Sequence, residues 1–131
     1  MKKPSAFGLF ALAAIALAAP AAFADECELS TFPSPQSEDQ TRIGFYNSTQ
    51  YAVQLYWADF DGFLADYGLL QPEEEVVFDT YIGHQWYVEV LTEEAPFCAG
   101  PIAPFDYEPC NVRIWYDGEP GFDADLCNYM G

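Results

Sequence analysis

The chain has one histidine, His84, and that alone limits the chemistry open to it. Nucleophilic catalysis needs a nucleophile, a base and an orienting acid, and no nucleophile elbow marks a serine or threonine as the partner of His84. Paired carboxylates for sugar cleavage exist among 21 acidic residues, but that abundance singles out no pair. Asp59-Phe60-Asp61-Gly62 opens like a calcium loop, yet its glycine stands fourth where the EF-hand pattern wants it sixth, so a strand-end turn is expected. Asp117, Glu119, Asp123 and Asp125 read as a solvated acidic face rather than a cation site. Asn47-Ser48-Thr49 fits the glycosylation acceptor, a short pattern that also arises by chance. No catalytic residue, metal ligand or cofactor is assigned on these grounds. An aromatic-rich stretch remains. His84 and Trp86 alternate along the chain so as to share a face on a strand, and Trp57 closes an earlier one. Aromatic faces suit a rigid proline ring, and a histidine beside a hydroxyl can read one OH group. The same rings would equally serve as ordinary sandwich core.

The elements that must position these side chains are short strands. Ile43-Gly44-Phe45-Tyr46 is the first candidate, and Ala52–Trp57 alternates with Val53, Leu55 and Trp57 on one face. Turn signals follow at Asp61-Gly62 and at Gln71-Pro72-Glu73-Glu74. Val76–Thr80 and Gln85–Leu91 are β-rich runs joined by a short turn containing Gly83, and Trp86, Val88 and Val90 share a face. Thr92 to Pro109, with four prolines, reads as a loop, Asn111–Tyr116 as the final clear strand, and 117–131 as an acidic, turn-rich tail. Beyond the N-terminal apolar run no stretch carries a convincing amphipathic helix. The expectation is an all-β chain, a small antiparallel β-sandwich or barrel.

Charge and cysteine usage set the context. Lys2 and Lys3 precede an apolar run from Ala6 to Ala19, and Ala22-Phe23-Ala24 offers small residues for cleavage, so residues 1–24 read as a secretory signal peptide. The exported part, starting at Asp25, keeps all 21 acidic residues against Arg42 and Arg113, a formal charge of −19. That balance excludes ordinary nucleic-acid binding and docking on anionic lipid through a basic patch, and favours neutral or cationic partners. With 3 Trp, 9 Tyr and 11 Phe the chain is globular rather than an acidic disordered segment. Residues 25–41 form a polar lead-in, and 42–131 one domain with its tail. Cys27, Cys98, Cys110 and Cys127 all lie in the exported part, which implies two disulfides in a periplasmic or extracellular protein. Of three connectivities, Cys98–Cys110 as a loop staple and Cys27–Cys127 as a clasp between termini are favoured.

The block from Asn47 to Gly62, the lone Tyr67, and Thr80-Tyr81-Ile82-Gly83-His84-Gln85-Trp86 together resemble the β domain of the von Hippel–Lindau tumour suppressor. That family shows an Asn-x-Ser turn, a Val-x-x-x-Trp strand closing in Phe-Asp-Gly, a lone Tyr, and Ser-Tyr-x-Gly-His-x-Trp. The match runs without gaps from Asn47 to Trp86. It implies a small β-sandwich that binds a hydroxylated proline in an extended peptide. Trp57, Tyr67 and Trp86 would be aromatic walls, Thr80 and His84 would meet the ligand hydroxyl, and Tyr81 would stand at the rim. Three features depart from the pattern: Asp79 replaces a histidine beside the pocket, threonine replaces serine at position 80, and the cysteines are foreign to it. The family's helical domain has no counterpart, so no ubiquitin-ligase adaptor is expected as a partner. The sequence therefore points to an exported, non-catalytic peptide-binding module. The competing readings are a structural or stability domain that shares only the fold, and an acid-based hydrolase.

Overall fold

Alternation of apolar and polar residues builds most of the strands. In β1 (Gln40–Asn47) Ile43, Phe45 and Asn47 turn inward, and in β7 (Cys110–Tyr116) Val112 and Ile114 do so while Asn111 and Arg113 face out. The remaining strands are β2 (Val53–Ala58), β3 (Leu64–Leu70), β4 (Glu75–Tyr81), β5 (Trp86–Val90), β6 (Phe97–Pro104), β8 (Pro120–Asp125) and β9 (Cys127–Tyr129). The computed structural model describes Cys27, residues 30–116 and residues 120–129, so the signal-peptide reading of 1–24 lies outside the described residues. Strands β9-β6-β5-β2-β3 form one sheet and β4-β1-β7-β8 the other. All pairings are antiparallel except β1 with β7, where Ile43 faces Cys110 and Asn47 faces Ile114 in parallel register. The chain is an all-β sandwich, as expected.

The core lies between the sheets. Ile43, Phe45, Val53, Leu55, Trp86, Val88, Val90, Ile102, Val112 and Ile114 are all at most 2% exposed. The five-stranded sheet is buried on its other face as well. There Tyr56, Ala58, Leu64 and Tyr87 form a second cluster against Cys27 and Cys98. All five residues of β5 are buried for that reason, and the segment from Ser30 to Pro35 lies over this outer face.

Three sequence expectations are corrected. The stretch 92–109 is not simply a loop, because it contains β6. Its prolines are accommodated at a bulge: Ala99 faces Val88 and Ile102 faces Trp86, so Gly100 and Pro101 together oppose Tyr87 alone, and Pro101 has no ladder bond to lose. Gly100 is required there, with φ at +143° and Tyr87 filling the place a side chain would take. The tail is not only turns either, since it supplies β8 and β9. Finally, the disulfides are Cys27–Cys98 and Cys110–Cys127, with Cα separations of 5.6 and 5.1 Å, not Cys98–Cys110 and Cys27–Cys127. Cys98 sits near the start of β6 and the loop to Cys110 leaves from its end, roughly 20 Å away at strand rise. Cys127 faces Pro104 at that far end, which puts it within reach of Cys110. Two disulfides fit an oxidising, extracellular type of environment.

Candidate functional site

The two sheets part at one end of the sandwich, between β3 and β4, each an edge strand of its own sheet. Trp57 is delivered there by the end of β2, Tyr67 by β3, Thr80 and Tyr81 by the end of β4, and Trp86 by the start of β5. His84 comes from the β4–β5 turn rather than from a strand. Gly83 adopts φ +91°, a conformation that suits glycine, and the His84 amide donates to the Tyr81 carbonyl at 3.1 Å. All six of these residues line one cleft of about 210 Å³. Two more complete it, Phe60 and Asp79.

Exposure divides the cleft into floor and rim. Trp86, Thr80 and His84 are 2%, 4% and 5% exposed, whereas Tyr67 and Phe60 are 42% and 46% exposed. Trp86 stacks on Phe78 at 5.3 Å and meets Phe45 at 5.8 Å, so it belongs to the core as much as to the cleft. Tyr67 stands edge-on to Trp86 at 5.1 Å. Trp57 lies 5.5 Å from both His84 and Phe60. Edge-on rings of this kind fix one another's orientation and leave faces available to a flat apolar ligand.

Two hydrogen bonds set the polar chemistry. The Trp86 indole Nε1–H donates to Thr80 Oγ1 at 3.1 Å, which leaves the Thr80 hydroxyl proton as a donor. The Trp57 indole Nε1–H donates to His84 Nδ1 at 3.2 Å. An imidazole that accepts at Nδ1 carries its proton on Nε2, and Nε2 is buried without a hydrogen-bond partner. Burial lowers the His84 pKa from its ordinary value, and the nearby Pro35 backbone opposes that by favouring the charged ring, without forming a hydrogen bond of normal geometry to Nε2. The floor therefore carries one hydroxyl donor and one neutral imidazole acceptor that the Trp57 indole already engages.

The other motifs resolve into structure. Asp59 Oδ1 accepts from the Asp61 and Phe63 amides at 2.9 Å each, which is a carboxylate holding a turn. Asn47 is fully buried. Its Nδ2 donates to the Tyr51 and Leu70 carbonyls and its Oδ1 accepts from Thr49, so the sequon asparagine is a staple between turns. Asp123 faces Arg113 at 3.9 Å on the solvent side, and Asp117 and Glu119 lie outside the described residues. Among the described residues, Cys27, Glu89 and Cys98 bring potential metal-binding atoms together, but both sulfurs are committed to the disulfide. Sequence reasoning missed Phe60 as a cleft residue. Its signal lay in the Asp-Phe-Asp-Gly turn itself, whose middle must project where Trp57 ends.

A β-sandwich with an aromatic cleft between its sheet edges defines a binding-module fold. The chain belongs to the VHL beta domain family, whose model matches residues 32–98. No curated protein sequence matches the chain. Among solved structures, a protein from Eubacterium rectale is similar at 16% identity and a TM-score of 0.48, covering 70% of this chain and 94% of its own. Listeriolysin O is similar at 14% identity and a TM-score of 0.47, over 68% of this chain and 23% of the toxin. A structure titled Trapped Toxin gives 12%, 0.45, 66% and 23% for the same quantities. The chain thus spans less than a quarter of either toxin.

Proposed function

We propose that this chain is an exported binding module that captures an extended peptide by a proline ring and prefers the ring when it carries a 4-hydroxyl. The observation that carries the reading is the convergence of Trp57, Tyr67, Thr80, Tyr81, His84 and Trp86 on one cleft with its polar atoms on the floor. The ring would sit among Trp57, Tyr67 and Trp86. Its hydroxyl would accept from the Thr80 O–H and donate to His84 Nδ1, displacing or sharing the Trp57 indole N–H. No bond is made or broken, consistent with a non-catalytic fold. Peptides with neutral or basic flanks fit best, because Asp79 lines the cleft and the exported chain carries 21 acids against two arginines. Calorimetry with proline-containing peptides tests the cleft: Trp57→Ala and Trp86→Ala should each abolish measurable binding, and unchanged affinity in both would overturn the assignment.

The second reading, a structural domain that shares only the fold, is favoured by one observation. The indole donors already occupy Thr80 Oγ1 and His84 Nδ1, so the floor is paired without a ligand. The two readings separate on whether a ligand hydroxyl can enter that exchange.

A further inference from the structure

The segment from Ser30 to Pro35 runs along the outer face of the five-stranded sheet, from the disulfide end to the cleft. At the first end Cys27 is bonded to Cys98, next to Glu89. Midway, the Tyr87 hydroxyl accepts from the Phe32 amide at 2.9 Å and donates to the Ser30 carbonyl at 3.2 Å. At the cleft end Ser34 is 3% exposed and makes three bonds. Its Oγ donates to the Ala58 carbonyl at 2.6 Å and accepts from the Gln85 amide at 2.8 Å, and its own amide donates to the Asp59 carbonyl at 3.0 Å. Ala58 and Gln85 directly follow Trp57 and His84 in the chain, so one hydroxyl ties together the backbones that carry the Trp57–His84 pair. The next residue, Pro35, packs on the His84 turn. A methyl group added at Gly83 would lie only 3.2 Å from its Cγ.

His84 needs that support. It lies outside any strand, its ring has a single side-chain hydrogen bond, from Trp57, and Nε2 is shut in without a partner. We propose that Ser34 is a positioning residue for the cleft, and that the Cys27–Cys98 disulfide is the anchor that keeps its segment seated against the Trp57–His84 pair. Removing either loosens the segment, lets water reach Nε2, and frees the ring to turn away from the Trp57 indole. Reduction by a dithiol, which takes up the disulfide as its own and leaves thiols on Cys27 and Cys98, would have the same result. The claim about peptide affinity rests on the cleft reading above; the claim about His84 does not.

The test is an NMR titration of the His84 imidazole in the full exported chain, in Ser34→Ala, and in Cys27→Ser/Cys98→Ser, which retains the Cys110–Cys127 bond. The other groups at the ring are the Trp57, Phe60 and Tyr81 rings, with Asp79 as the charged side chain lining the cleft, and all are common to the three proteins. The unmodified protein should hold His84 neutral with its proton on Nε2, titrating below about 6.5. Both variants should titrate nearer that value and lose protection of the Trp57 indole N–H, and Ser34→Thr should restore the original behaviour. An unmodified His84 that titrates at or above about 6.5 would overturn the proposal even if neither variant folds. So would an unchanged titration in folded variants. Peptide affinity should fall about tenfold in each variant, the equivalent of one lost hydrogen bond. If the unmodified protein binds no proline peptide, the cleft reading fails while the His84 titration still decides the role of Ser34.

Discussion

Two buried polar side chains, Asn47 and His84, both lie in the run of residues that resembles the family pattern, yet the molecule treats them in opposite ways. Asn47 uses both amide hydrogens and its carbonyl oxygen on protein partners at 2.7 to 2.9 Å, and it does not line the cleft. His84 uses one nitrogen, leaves the other without a partner, and lines a cleft. A fully satisfied polar group rigidifies a fold, whereas a buried atom left unpaired, as His84 Nε2 is, carries a cost that the surrounding packing must offset. The contrast separates a residue that staples the sandwich from one that the proposed cleft would use to read a ligand.

The largest effect that would sharpen the contrast is on stability. Asn47→Ala leaves two carbonyls and the Thr49 donors without their partner, and should cost about 3 kcal/mol in denaturant unfolding, while leaving the ratio of hydroxyproline to proline affinity unchanged. A changed ratio would break the distinction. His84→Ala should do the reverse. It should cost roughly 1 kcal/mol or less of stability, because the ring sits at the cleft rather than in the main core, but reduce the affinity ratio about tenfold or more.

How much of this was legible in the sequence can be read from particular residues. Of the four strands that line the cleft, β2, β4 and β5 were legible as β-rich runs bounded by turn signals, whereas β3 was not expected as a strand and its Tyr67 was placed only by the family pattern running from Trp57 to Trp86. β6 was hidden by Pro101 and Pro104, which suggest a loop until the bulge opposite Tyr87 is seen. β8 carries its alternation on Phe122 and Ala124 alone, with Asp123 and Asp125 facing out at a sheet edge, a pattern that reads as an acidic tail. The disulfides could not be paired by spacing, because the distance between Cys98 and Cys110 along the chain is mostly strand. Ser34 gave no signal at all; its role depends on where β2 and β5 end.

Smaller effects follow from titration and charge. His84 has a folded pKa below that of the unfolded chain, so the unfolded state takes up the proton first as pH falls. Its contribution to stability is complete above about 6.5 and is lost as pH drops from there through the folded value. Thermal unfolding from pH 8 to 5 should show that loss in the unmodified protein and in Asn47→Ala, and lack it in His84→Phe. Retention of the same slope in His84→Phe would assign it to another group. Smaller still, Asp79→Asn should weaken the salt dependence of association with a lysine-flanked peptide and leave a neutral-flanked peptide unaffected, measured by binding rates at low and physiological ionic strength.

The most direct measurement is calorimetry of two extended peptides that differ only in proline or 4-hydroxyproline at the central position. Both rings gain the same contact with Trp57, Tyr67 and Trp86; with proline the Trp57 indole keeps His84 Nδ1 paired but the Thr80 O–H lacks an acceptor, which only the hydroxylated ring supplies. At ~1–3 kcal/mol for that one buried polar group left unmet, the hydroxylated peptide should bind about tenfold tighter or more. Equal affinity for two peptides that both bind would contradict the account.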